Sequence, residues 1–136
     1  MSYHVINAYK KVERTTSSER ENEARVLSEG ALKLERCLDA WDSAENKAAL
    51  KEALRYNQMI WTVFQSALIS ADCPLPEDIR RNILVISRFM DKQIFRSMAS
   101  PSREKLEPII VINRGLAKGL RMTPQKGVVG ADEVKK

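Results

Sequence analysis

The sequence predicts an all-α protein, a compact antiparallel bundle of three long helices plus a shorter C-terminal helix. Two observations indicate this fold: apolar residues recur every three or four positions along most of the chain, and short segments rich in Ser, Asp and Pro interrupt that pattern three times. The composition agrees, since 43% hydrophobic and 30% charged residues are typical of a folded domain. At 136 residues we expect one domain over residues 1–120, with a short N-terminal segment, and a flexible, disordered tail over 121–136.

The first predicted helix begins at a capping box, in which Ser18 precedes Glu21 by three residues and each side chain can bond the other residue's free backbone N–H. The charged positions further along, such as Glu23 and Lys33, are expected to face solvent. Gly30 costs up to about 1 kcal/mol relative to alanine inside a helix, and its small size would let a neighbouring helix approach closely. One apolar stripe continues to about residue 41 and consists of Ala24, Leu27, Ala31, Leu34, Leu38 and Trp41.

The second predicted helix follows almost at once, after a cap signal at Asp42 and Ser43. Between Met59 and Ile69 apolar residues spread around most of the helix, which is typical of a helix that lies centrally in a bundle or is covered by a partner. Its main stripe consists of Leu50, Leu54, Asn57, Trp61, Phe64, Leu68 and Ala71.

The third and fourth predicted helices are separated by a break at residues 100–102. The third opens at Pro76, extends to about Ala99, and carries Ile79, Ile83, Ile86, Met90 and Ile94, with Leu84, Val85, Phe89 and Phe95 widening the stripe. The fourth covers about residues 103–120. Its β-branched run at 109–112 would also fit a strand, but the spacing of the surrounding apolar residues is helical and no second strand candidate exists to pair with it.

The sequence contains little that could carry out catalysis. The single histidine, His4, lies apart from any cluster of Cys or acidic residues, and glycine-rich phosphate-binding motifs are missing. Cys37 and Cys73 are too few for a disulfide scaffold or a zinc site, so we expect reduced thiols. We therefore predict a protein that is not an enzyme and needs no cofactor or metal. Because the sequence has neither an apolar run of about 18 residues nor a secretory signal, we expect no membrane insertion and a cytoplasmic location.

Two asparagines occupy positions that the apolar pattern otherwise assigns to the core. Asn57 lies one helical turn before Trp61, and Asn113 and Arg114 follow the apolar run of the fourth helix. One interpretation is that both amides are hydrogen-bonded inside the bundle and fix the helix register. The other is that Asn57, Trp61, Phe64, Asn113 and Arg114 line a groove that binds a partner peptide, and these five residues are our partner-binding candidates.

The same segments resemble the FlaF family of flagellar biosynthesis regulators of alphaproteobacteria. The resemblance extends from about residue 8 to 120, with its elements in the order that the family shows. The two most specific segments are ALRYNQMIWTVF at residues 53–64 and LEPIIVINRGL at 106–116, the latter followed by Gly119-Leu120. Shorter matches are Ala8-Tyr9, Glu23-Ala24-Arg25 and Leu75-Pro76.

The resemblance implies a non-enzymatic regulator that promotes flagellin production or export by binding flagellin, as an export chaperone does. Family members act with an antagonistic partner, FlbT, so the alternative is a post-transcriptional regulator that acts on flagellin mRNA or on a FlbT-type partner. Residues 101–136 carry eight Lys and Arg against four Asp and Glu, whereas the rest of the chain is nearly balanced, so the sequence gives an RNA contact only weak support. A homodimer formed through spare apolar surface is a third alternative.

Overall fold

The computed structural model describes residues 17–73 and 75–122, and these residues form four α-helices. They are α1 (Ser17–Asp39), α2 (Asn46–Leu68), α3 (Glu77–Ala99) and α4 (Arg103–Met122). No strand occurs among the residues described, and the β-branched run at 109–112 is helical. The predicted all-α bundle of three long helices and one shorter helix is therefore confirmed. The N-terminal segment with His4, and the tail from residue 123 onwards, lie outside the described residues.

Each helix packs against the next along the chain, and α4 returns to pack against α1 in the most extensive interface of the bundle. The connections are short, which favours antiparallel neighbours. Cross-helix hydrogen bonds show this direction: Arg114 near the middle of α4 bonds Glu35 late in α1, whereas Arg121 at the end of α4 bonds Glu21 near the start of α1. The four helices thus form a closed antiparallel ring around one core.

Several helix ends differ from the prediction. Residues 40–45 separate α1 from α2, so the second helix does not restart at once. The reason is a local turn, in which Ser43 Oγ donates to the Glu45 carboxylate at 2.7 Å and accepts from the Glu45 N–H at 3.3 Å. At its other end α2 stops at Leu68, which leaves Ala71 exposed beyond the helix. Helix α4 extends to Met122, two residues past the predicted boundary at 120.

The stripes predicted for α1, α2 and α4 form the core. Fully or almost fully buried are Ala24, Leu27, Ala31 and Leu34 in α1, Leu50, Leu54, Phe64 and Leu68 in α2, and Leu106 and Ile109 in α4. One charged position is an exception, because Glu23 is only 6% exposed although we expected it to face solvent. The reason is its spacing: Glu23 precedes Leu27 by four residues and therefore lies on the buried side of α1.

Helix α3 buries only part of the apolar stripe that its sequence predicts, and two serines complete its buried side. Of the five residues in the predicted stripe, Met90 and Ile94 are buried, whereas Ile79 and Ile86 are 44% and 38% exposed. The other buried positions are Ser87 and Ser97, whose hydroxyl groups donate to carbonyl oxygens of their own helix at 2.8 Å. Because these small serines satisfy their own hydroxyls, they can lie inward and leave larger apolar side chains outside.

Candidate functional site

Two asparagine side chains meet at the centre of the bundle. Asn113 on α4 donates from Nδ2 to Oδ1 of Asn57 on α2 at 2.6 Å, and its own Oδ1 accepts from the indole N–H of Trp61 at 2.9 Å. All three side chains are fully buried. The apolar spacing that places these residues on the inner sides of their helices therefore brings three polar groups together in the core.

Helix α1 completes this network with backbone carbonyl groups. Asn57 Nδ2 donates to the Gly30 carbonyl of α1 at 3.1 Å, and Asn113 Nδ2 also donates to the Leu27 carbonyl of α1 at 3.3 Å. A further bond from Asn57 Nδ2 goes to the Ala53 carbonyl of its own helix at 2.9 Å. Every nitrogen and oxygen of the two amides thus has a partner, which avoids the penalty of about 1–3 kcal/mol for a buried unsatisfied amide. We call these groups, from Asn57, Trp61, Asn113 and the α1 carbonyls, the amide network.

Gly30 makes room for the amide network. A Cβ atom at this position would lie 2.6 Å from Asn57 Oδ1 and 2.8 Å from Asn113 Nδ2, both well inside van der Waals contact. We expected this glycine to admit a neighbouring helix, and what comes close is the pair of amide side chains. The glycine therefore allows polar groups of α2 and α4 to reach the backbone of α1.

The five partner-binding candidates divide into two groups. Asn57, Trp61 and Asn113 are 0% exposed, and Phe64 is 4% exposed with its ring centroid 5.9 Å from that of Trp61. These four are brought together in the core, and a partner would reach them only if the bundle opened. Arg114 lies apart from them on the surface. Contact of any of the five with a partner stays a prediction.

Arg114 joins α4 to α1 through an ion pair. Its Nε and Nη2 donate to the two carboxylate oxygens of Glu35 at 3.1 and 2.5 Å, and this hydrogen bonding raises the pKa of Arg114. A second pair, Arg121 with Glu21 at 3.1 Å, lies at the other end of the same interface. Both pairs are well exposed, so water and salt screen them.

Replacing Arg114 by alanine is expected to lower the free energy of unfolding by no more than about 1 kcal/mol, because exposed ion pairs contribute little. Urea unfolding of Arg114→Ala beside Arg121→Ala measures this, with the second variant as a matched control. A loss much larger than that of the control would show that Arg114 has a structural role beyond its ion pair.

More exposed large apolar residues lie on α3 than on any other helix that the structure describes. Ten large apolar residues are exposed in the described part of the chain, and half of them lie on this helix: Ile79, Val85, Ile86, Phe89 and Phe95. Phe95 is 67% exposed and Val85 59%. Four of the five share one side of the helix, and we call Ile79, Val85, Ile86 and Phe89 the α3 outer face. Phe95 lies nine residues after Ile86 and is therefore on the opposite side of the helix. From the sequence, Ile79 and Ile86 are expected on the core stripe, with Val85 and Phe89 widening it, and the inward serines were the signal that could have placed them outside.

Among the residues that the structure describes, the remaining groups show no activated centre. Burial raises the pKa of the Cys37 thiol, which keeps it protonated near neutral pH and therefore a poor nucleophile. Cys37 and Cys73 are both free. Within residues 17–73 and 75–122, no three His, Cys, Asp or Glu side chains lie together as metal ligands would. Over the same residues, none of the helices combines the length and the apolar character needed to cross a membrane.

Comparison with known proteins identifies the family. The sequence profile described as Flagellar protein FlaF matches residues 5–120, which is most of the chain and includes all of α1, α2 and α3 and nearly all of α4. No curated protein and no solved structure matches the chain significantly. The match includes both asparagines of the amide network and the whole α3 outer face. The chain therefore belongs to the FlaF family of flagellar proteins.

Proposed function

We propose that this protein is a non-enzymatic regulator of flagellum biosynthesis that works in the cytoplasm by binding flagellin, as an export chaperone does. The observation that carries the proposal is the α3 outer face. Exposed apolar residues that cluster on one helix are typical of a surface that binds another protein. Family membership makes a flagellar protein the first partner to test.

The rest of the bundle supports a binding role for α3 rather than for the core. The amide network satisfies its own polar groups, so it offers nothing to a partner while the bundle stays closed. A filament subunit, in contrast, exposes before assembly the apolar surface that its neighbours later cover, and an apolar helix face could shield that surface. The α3 outer face is therefore the surface that we assign to flagellin.

Co-expression with full-length flagellin, followed by size-exclusion chromatography, tests this proposal. We expect the two proteins to co-elute, and we expect Val85→Ser combined with Phe89→Ser to weaken binding at least about 100-fold, because two buried apolar side chains at about 1.5–3 kcal/mol each together contribute about 3–6 kcal/mol. The control combines Val111→Ser and Met122→Ser on α4, where the two side chains are 62% and 68% exposed. If the α4 control binds flagellin as tightly as the wild type does while the α3 variant binds more weakly, flagellin contacts the α3 outer face.

Two results would count against the proposal. If folded wild-type protein and flagellin elute separately, the two proteins do not bind directly and the proposal is wrong. If both double variants weaken binding equally, the contact is not on α3. Circular dichroism of each variant shows whether it is folded, because these substitutions lie on the surface and should leave the helices intact.

The RNA-level alternative receives less support from the structure. Its basis was the basic C-terminal part of the chain, and two of the cations there, Arg114 and Arg121, already pair with acidic residues of α1. RNA binding would fall steeply with salt, and a filter-binding assay with flagellin mRNA at rising salt tests for it. Light scattering tests the homodimer, and the co-elution assay with FlbT in place of flagellin tests that partner.

A further inference from the structure

The α3 outer face carries positive charge as well as apolar side chains. Arg88, Lys92 and Arg96 are exposed and follow one another at intervals of four residues, so they lie on one stripe of the helix. Val85 precedes Arg88 by three residues and Phe89 precedes Lys92 by three, so both apolar side chains lie beside this stripe. The helix therefore presents an apolar ridge with a basic flank.

The basic flank is not neutralised by the rest of the bundle. Between Ile79 and Ala99, α3 has five Arg and Lys against a single carboxylate, Asp91, which accepts a hydrogen bond from Gln65 at 2.8 Å. Arg88, Lys92 and Arg96 form no ion pair with any residue that the structure describes. In contrast, Arg114 and Arg121 on α4 are both paired. The stripe is therefore available to the carboxylates of a partner, and it lies beside the α3 outer face.

We propose that the α3 outer face binds an amphipathic helix whose apolar stripe is flanked by carboxylates. This inference rests on the proposed function, since it uses the same face, and it adds the chemistry of the partner segment. An amphipathic helix can lay its apolar side chains along Val85, Ile86 and Phe89. Its carboxylates would then lie opposite Arg88, Lys92 and Arg96, which favours fast association and excludes basic segments.

The charges disfavour the other occupants of this face. A second copy would bring one basic stripe against another, since a twofold contact through α3 places like charges together. Residues 1–16 of the same chain contain three Lys and Arg against one Glu, so they do not complement the face either. RNA would satisfy the cations but leave the aliphatic Ile79, Val85 and Ile86 without a stacking partner. A separate acidic helix fits both features.

Fluorescence anisotropy with the full chain and two designed peptides tests the inference. The peptides are helices of about 18 residues with the same leucine stripe, flanked in one by Glu and in the other by Lys. We expect the wild-type protein to bind the Glu peptide at least about tenfold more tightly than the Lys peptide. Each of the three exposed charge pairs can change the affinity by a factor of about two to five, and the three factors multiply. Rising salt should reduce this difference.

A matched pair of variants locates the site. Arg88→Glu, Lys92→Glu and Arg96→Glu together should reverse the preference in favour of the Lys peptide. The control is Lys47→Glu, Lys51→Glu and Arg55→Glu on α2, which has the same spacing and the same change of charge on three exposed residues. The control should keep the wild-type preference for the Glu peptide.

Three outcomes would overturn the inference: equal affinity for the two peptides, an equal effect of both variants, or tighter binding of an RNA oligonucleotide of matched charge. Flagellin is absent from this assay, so its result is independent of the co-elution test. If the Glu peptide binds as expected but flagellin does not, the proposed function is wrong while the chemistry of the face stands. If flagellin binds and the peptides do not differ, only the present inference is wrong.

Discussion

Replacing Gly30 by alanine is expected to destabilise the protein by about 2–4 kcal/mol, even though alanine is the better helix former by about 1 kcal/mol. The added methyl group would lie 2.6 Å from Asn57 Oδ1 and 2.8 Å from Asn113 Nδ2. Neither amide can swing away at low cost, because each is fully buried and is held by hydrogen bonds on several sides. The substitution must therefore break bonds of the amide network or push α1 away from α2 and α4.

Gly115 provides the matched control on α4. A Cβ atom at this position meets nothing within 4 Å, so Gly115→Ala should raise the free energy of unfolding by about 0.5–1 kcal/mol. Urea unfolding followed by circular dichroism compares the two variants under the same conditions. If Gly30→Ala were as stable as the wild type, that result would contradict the close packing described between Gly30 and the two amides.

Replacing Asn113 by leucine, a side chain of similar size, is expected to destabilise the protein by about 3–5 kcal/mol. Asn113 is the acceptor for Trp61 and the donor to Asn57, so its loss leaves two buried polar groups without partners. Each unsatisfied group costs about 1–3 kcal/mol. Asn82→Leu on the exposed side of α3 is the control, and it should change stability by less than about 0.5 kcal/mol.

A double-mutant cycle with Trp61→Phe separates the hydrogen bond from the packing. In the wild type, Trp61→Phe removes the indole N–H that Asn113 accepts. In the Asn113→Leu background that N–H has already lost its acceptor, so the second substitution should cost about 1–2 kcal/mol less. Additive costs would contradict the hydrogen bond between Trp61 and Asn113.

The same variants address the two interpretations of the asparagines. If they stabilise the bundle and α3 provides the binding face, then Asn113→Leu should weaken flagellin binding only to the extent that it unfolds the protein. If Asn113 contacts the partner, binding should fall even at a temperature where the variant is fully folded. Co-elution at low temperature, beside the unfolding curve, distinguishes the two results.

Much of the fold could be predicted from the sequence, because three of the four helices follow the simple rule that the apolar stripe faces inward. Helix α3 follows it only in part. Its stripe predicts Ile79 and Ile86 inside, yet Ser87 and Ser97 lie inward instead. Hydrophobicity alone could not show this, since a serine that bonds its own helix behaves as a small core residue. For the same reason the sequence could not show which apolar residues of α3 lie on its outer face.

The amide network could be predicted only in part. Periodicity places Asn57 and Asn113 on the inner sides of their helices, but it does not say at what height along the bundle each residue lies. Two residues 56 positions apart meet only if α2 and α4 are aligned in one particular register. The role of Gly30 depends on that alignment, so the sequence alone could not assign the glycine to the amides.

The amide network also has a consequence for synthesis. Asn113 reaches the Leu27 carbonyl across 86 residues of sequence, so the first three helices leave the ribosome before the residue that completes their core. Until then Asn57 Oδ1 and the Trp61 indole lack their native partners, and long-range contacts of this kind form late in folding. The amide network therefore cannot form before α4 has been synthesised, and a chain that ends before Asn113 lacks the group that joins its central polar residues.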